Sequence, residues 1–195
     1  MQEVAGSIPV GSTKFIPMNI SYIAFLRGIN VGGHRIIKMA ALRDVVTSLG
    51  HSNVKTFIQS GNVGFESTQM DLQGLEQGLE AAIEKAFGFP VTVMVRPLED
   101  VVALADTPPI GDVDSARIYV TFLKSVPSPE SLATLVALSS EAEQILPHKG
   151  VLYLYYGHGA GKAKLTHSVI EKKLQTSGTT RNWQTLGKMI RFFTA

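Results

Sequence analysis

The order strand, helix, hairpin, helix, strand occurs twice along this chain, and that repetition restricts its fold more than any other feature. In the first pass, residues 22–26 (YIAFL) form a short apolar run with aromatics, a buried-strand signal. The glycine-rich stretch 27–33 breaks it. Met39, Leu42, Val45, Val46 and Leu49 then recur at helical spacing, with Gly50 as a stop. Residues 54–59 and 63–65 flank Ser60, Gly61 and Asn62, which tolerate a tight turn, and predict a hairpin. Asp71 can cap a helix whose apolar face is Leu72, Leu75, Leu79, Ile83 and Phe87. Val91, Val93 and Val95 alternate as a strand that Pro97 closes.

The second pass opens with a strand at 118–123 and a helix carrying Leu132, Leu135, Val136 and Leu138. Residues 143–146 and 151–156 read as strands joined through Pro147, His148, Lys149 and Gly150. A helix is expected over 164–174, a short strand over 178–181, and a final amphipathic helix with Trp183, Leu186, Ile190 and Phe193. The expected fold is therefore α+β, two tandem ferredoxin-like (βαββαβ) subdomains offset by about 90 residues, a spacing that argues for duplication. The alternative is a single mixed sheet. The domain plan is a dispensable N-terminal extension over 1–17, a first lobe over 18–105, a linker over 106–115, and a second lobe with a C-terminal helix over 116–195.

Charge is as unevenly spread as the elements are regular. Between residues 4 and 43 stand Lys14, Arg27, Arg35, Lys38 and Arg43 with no acid; residues 44–143 hold fourteen acids against five bases. Residues 144–195 hold eight bases and one acid, Glu171. If the two ends of the chain meet in space, one face is basic and the opposite side acidic. The chain has no cysteine, which excludes a disulfide scaffold, a thiolate zinc site and a cysteine nucleophile. No apolar run approaches the ~18 residues of a membrane span, and the N-terminus lacks a signal-peptide pattern. These observations predict a cytoplasmic protein without membrane contact.

Two glycine stretches imitate nucleotide loops and fail the test. Gly28-Ile-Asn-Val-Gly32-Gly33 lacks the G-x-G-x-x-G spacing, and 157–163 (GHGAGKA) is one residue short of a P-loop and ends in alanine. Both nevertheless lead into predicted helices and are followed by bases, an arrangement that holds anions through backbone N–H groups and basic side chains. Residues 179–183 (TTRNW) form a third unusual stretch, in which Asn182 or Thr180 can cap the last helix and Arg181 can pair an acid or hold an oxyanion. The candidate ligand-binding residues are Arg27, Gly28, Asn30, Gly32, Gly33, Lys38, Lys162, Lys164, Arg181 and Asn182. No metal site is expected from the five histidines, which show no paired spacing, and no cofactor is implied. Glu99 and Asp100 read as exposed surface, and Phe122, Tyr153 and Tyr155 as core rather than a stacking platform.

Four separated stretches, FLRGINVGG (25–33), IQSGNVGF (58–65), GKAKLTHSVIEKKL (161–174) and TTRNW (179–183), resemble the bacterial family called domain of unknown function 1697. The resemblance runs from Met18 to the C-terminus. It implies two ferredoxin-like subdomains and no established activity; where the family pattern has a small polar residue, often serine, this chain has Ala163.

Three classes of function follow. The first is a binding module for a phosphorylated small molecule, a nucleotide or a nucleic-acid backbone, with the basic stretches converging on a cleft between lobes. The second is an enzyme independent of metal and thiol, with Lys162, Lys164 or His167 as acid, base or nucleophile. The third is a protein–protein module using the acidic side or a sheet edge. Because residues 1–17 precede the first periodic strand and are rich in Gly, Ser and Pro, their deletion should leave the melting temperature within a few degrees of the full chain by calorimetry.

Overall fold

The computed structural model describes residues 18–105, 110–111 and 113–195. The expected extension over 1–17 and half of the expected linker, residues 106–109 and 112, lie outside the described residues. The first half runs β1 (Ile20–Leu26), α1 (Met39–Ser48), β2 (Ser52–Phe57), β3 (Asn62–Ser67), α2 (Leu72–Phe87), β4 (Val93–Pro97) and α3 (Leu98–Ala105). The second runs β5 (Ile118–Leu123), α4 (Pro129–Val136), β6 (Glu143–His148), β7 (Val151–Tyr156), α5 (His167–Leu174), β8 (Gly178–Asn182) and α6 (Trp183–Thr194). Two four-stranded antiparallel sheets result, ordered β2-β3-β1-β4 and β6-β7-β5-β8. The protein is α+β.

Alternation along the central strands sorts the side chains into three cores. Tyr22, Ala24 and Leu26 of β1 pack against α1 and α2 through Leu42, Val46, Leu75, Leu79 and Ile83. Leu123 of β5 and Leu152, Leu154 and Tyr156 of β7 pack against Leu135, Ile170 and Leu174 on the helices of the second half. The remaining faces of the two sheets meet each other: Ile23, Phe25 and Met94 lie against Ile118, Val120, Phe122 and Tyr153. Period-two alternation in strands is what allows each sheet to serve two cores. The helices α3 and α6 add Leu104, Leu186 and Met189 to this middle layer. At its centre the rings of Phe25 and Phe122 stack at 3.9 Å with 15° between planes. Gly64 admits α6 onto β3, since a Cβ there would lie 2.5 Å from the Phe193 ring.

Polar contacts across the lobes come in reciprocal pairs. Arg96, opposite Ile23 in the β1–β4 ladder, donates to the Leu123 carbonyl at the end of β5. Arg181, opposite Val120 in the β5–β8 ladder, donates to the Leu26 carbonyl at the end of β1. Glu76 of α2 accepts the Val95 amide on edge strand β4 and pairs Lys124 of the other lobe at 2.8 Å. Glu171 of α5 accepts the Gly178 amide on edge strand β8 and pairs Arg27 of the other lobe at 2.7 Å. In each case a helix carboxylate satisfies the free edge of its own sheet and grips the neighbouring lobe.

Two local expectations change. The helix expected over 164–174 begins only at His167, capped by the Thr166 hydroxyl, because the Glu143 carboxylate accepts from the Lys164 and Leu165 amides and holds them in a bend ahead of the first turn. Strand β6 extends through Pro147 and His148, so the turn shrinks to Lys149 and Gly150, both at positive φ. As an edge strand it loses no ladder bond to the proline. The acidic stretch around Glu99 is α3, its two acids exposed in the first turn and Val101 and Leu104 buried below. Phe122 and Tyr153 are buried, as expected of core residues.

Phe122→Ala should cost about 3–5 kcal/mol, because the ring fills the layer between two sheets that have few ways to close around a void. Urea unfolding followed by tryptophan fluorescence measures it.

Candidate ligand-binding cleft

Strand β1 ends at Leu26, and the chain enters a long loop that wraps the same end of the molecule as strand β8. Gly61 lets the β2–β3 turn press against this loop, for a Cβ there would sit 2.8 Å from Leu26 and Ile29. On the opposite wall, the Tyr156 hydroxyl donates to the Leu165 carbonyl at 2.8 Å and ties down the loop leading to α5. Burial, with help from Glu143 and Tyr119, pushes that hydroxyl up to about 12, so it stays a proton donor. Between the two loops lies a cleft of about 620 Å³. Its walls are largely apolar, with Ile29, Val31, Tyr119, Tyr156, Ala160 and Ala163; polar groups gather along its β8 and α5 side.

Arg181 lies at the base of the cleft and is only 8% exposed. Its Nε donates to Asn62 Oδ1 at 2.6 Å, and Nη1 to Thr179 Oγ1 and the Thr180 carbonyl at 2.8 and 3.0 Å. Nη2 reaches the carbonyls of Leu26, Ser60 and Gly61 at 3.2, 3.1 and 3.4 Å. The guanidinium carbon also lies 5.7 Å from the centre of the Phe25 ring. Every donor is satisfied, and every acceptor is neutral. Burial lowers the Arg181 pKa to about 10, which still leaves the side chain charged at neutral pH. Its counterpart Arg96 has Glu76 at 3.4 Å, so the two ends of the molecule differ in compensation.

Arg27 grips Glu171 through Nε and Nη2 at 2.8 and 2.7 Å. Burial pushes the Glu171 carboxyl up, but Arg27, the Gly178 amide and His167 together draw it below the ordinary glutamate value. His167, the first residue of α5, places Nε2 2.8 Å from the Gly178 carbonyl and 3.3 Å from Glu171 Oε1. Its Nδ1 lies 3.3 Å from Thr180 Oγ1.

Of the residues singled out by sequence, Arg27, Gly28, Arg181 and Asn182 line the cleft together. Asn182 also caps α6, accepting from the Gln184 amide at 3.0 Å, and donates to the Ala116 carbonyl. Asn30 works behind the wall: its side chain bonds Ile37 N, Ile37 O and Gln59 O and pins the loop. Gly32 and Gly33 form the exposed tip of that loop, Lys38 precedes α1, and Lys162 and Lys164 are exposed; none of these lines the cleft. The tyrosines, Thr180 and the pairing of His167 with Glu171 were not anticipated as site features. Among the described residues no group of three His, Asp or Glu side chains could hold a metal ion, and no helix is long and apolar enough to cross a membrane.

The family model described as "Protein of unknown function (DUF1697)" matches residues 18–153. The chain belongs to this family. The DUF1697 match spans the first lobe and the second as far as β7, so His167, Thr180 and Arg181 lie beyond it. A solved structure, that of the conserved bacterial protein SP0830 from Streptococcus pneumoniae, is similar to this DUF1697 chain at 25% identity. The likeness covers 90% of this chain and 99% of that one with a TM-score of 0.69. No curated protein matches the chain.

Since the Glu171 carboxyl is depressed by its partners, its contribution to stability is complete above the unfolded glutamate pKa of about 4.3 and fades as pH falls through the lower folded value. Glu171→Gln should therefore be less stable than the parent at neutral pH and converge with it in acid. Urea titrations at stepped pH test this.

Proposed function

We propose that the cleft binds a small phosphorylated molecule, a nucleotide by preference, with its anionic group toward Arg27 and Arg181. The observation carrying this is the buried Arg181 guanidinium, whose acceptors are all neutral, at the base of an apolar cleft. Two bases against the single acid Glu171 leave the cleft net positive, and a low-dielectric wall strengthens that field. Among the described residues Arg27 Nη1 has no hydrogen-bond acceptor, which makes it the free donor for an incoming anion. Tyr119 and Tyr156 supply apolar surface for the remainder of the ligand. A nucleic-acid backbone suits the cleft less well, since tracking a strand uses a run of bases rather than two.

The scaffold we infer is a pair of tandem ferredoxin-like lobes, each extended by one helix. The equal strand orders and the reciprocal placements of Arg96 and Arg181, and of Glu76 and Glu171, support it.

A thermal-shift titration with nucleoside monophosphates, sugar phosphates and inorganic phosphate tests the ligand class. A nucleotide at ~100 times its dissociation constant should stabilise the protein by about 2.7 kcal/mol. Arg27→Ala should abolish the shift, whereas Lys162→Ala and Lys164→Ala should leave it intact. A flat response to every phosphate compound, or a shift lost only in the lysine variants, refutes the proposal.

A further inference from the structure

We infer that Thr180, His167 and Glu171 form a nucleophile–base–orienter chain, and that the cleft catalyses acyl transfer from small carboxylic esters. Hydrogen-bond directions along the chain follow from one constraint. The Gly178 carbonyl can only accept, so the His167 Nε2 at 2.8 Å from it carries the ring proton in the neutral imidazole. Glu171 Oε1, 3.3 Å from the same nitrogen, reinforces that tautomer. Nδ1 is then a bare lone pair, and its neighbour is the Thr180 hydroxyl at 3.3 Å. Thr180 Oγ1 also lies 2.8 Å from Thr121 Oγ1, a fully buried hydroxyl. With Thr180 donating to Nδ1, Thr121 donates to Thr180.

The result is a polarised series, Thr121 to Thr180 to His167 to Glu171, anchored by Arg27 on the far side of the carboxylate. Thr180 and His167 both line the cleft, so hydroxyl and base open onto the same space. A hydroxyl beside a base that is itself oriented by a carboxylate is the arrangement nucleophilic catalysis needs, and distances in an unliganded site are commonly long.

In the first half-reaction Thr180 Oγ bonds to the acyl carbon and the bond from that carbon to the alcohol oxygen breaks. His167 Nδ1 takes the hydroxyl proton and returns it to the departing oxygen. Water then attacks the threonyl ester, gives a proton to His167, and releases the carboxylic acid as the proton returns to Thr180. Arg27 Nη1 is the cationic donor available to the oxyanion. The inference is independent of phosphate binding, because it requires only that the cleft admit an ester.

The test uses the full chain with p-nitrophenyl acetate. The expected result is a burst of nitrophenolate stoichiometric with protein, with the acetyl group mapped to Thr180 by acid quench and peptide mass spectrometry. Thr180→Val should abolish the burst and Thr180→Ser should retain it. His167→Asn should slow it by about 10²-fold or more. Acetyl found on a lysine or the N-terminus with Thr180 unmodified, a burst that survives in T180V, or no burst at all overturns the inference. The mapping on the parent protein decides the question even if a variant fails to fold. Nucleotide-induced thermal shifts, measured on the same protein, report the binding proposal separately.

Discussion

The stacked rings of Phe25 and Phe122 set the distance at which every other contact between the two sheets is made. Each ring sits on an interior strand of its sheet, so the residues beside it, Ile23 and Val120, are brought into the same layer as well. A pair of this kind contributes about 0.5–1.5 kcal/mol beyond the area it buries. Its larger effect is geometric. With the strands at this spacing, an arginine on each outer strand spans the gap and reaches the carbonyl that ends the first strand of the opposite lobe. The hydrophobic layer positions the polar contacts, and they in turn fix the orientation of one lobe on the other.

The reciprocal arrangement makes the difference between the two ends informative. Around Arg96 and Lys124, two carboxylates of α2 take up the positive charge. Around Arg181 and Arg27 there is one carboxylate, Glu171, which pairs Arg27, while the Arg181 guanidinium is held by amide, hydroxyl and carbonyl oxygens alone. Burying a charge this way costs free energy that neutral acceptors recover only in part. The loops depart from symmetry at the same end: residues 27–38 and 157–166 are long and wall a cleft, whereas their counterparts at 124–128 and 68–71 are short. Incomplete compensation and added loops thus coincide at the end of the molecule proposed to take a ligand.

Much of this was legible in the sequence, for identifiable reasons. The order of elements was readable because apolar period and turn residues are local, and Asp71 and Asn182 cap as their positions implied. The charge map brought Arg27 and Arg181 together. It failed for Lys38, Lys162 and Lys164 because a one-dimensional count does not distinguish solvated bases from inward ones. It also understated Glu171, a single acid in a basic segment, which neutralises Arg27. The start of α5 was misplaced because the carboxylate that takes up the amides of residues 164 and 165 comes from Glu143, far away in the chain. Tyr119 and Tyr156 alternate with core residues on their strands, and only the loop lengths of the finished fold decide that their surroundings stay open.

The placement of Arg181 also dictates an order of events during synthesis. Ribosomes add about 5–20 residues each second, and the first lobe emerges complete while the strand carrying Arg181 has yet to be made. Its inner face, with Ile23, Phe25, Met94 and the carbonyls of Leu26 and Ser60 that Arg181 will take up, is an uncovered half-core in that interval. Nascent chains are therefore most vulnerable to misassociation and proteolysis after the first lobe folds and before β8 docks. A premature stop ahead of residue 181 leaves a protein that has most of its residues but lacks both Arg181 and the α6 side chains that complete that layer.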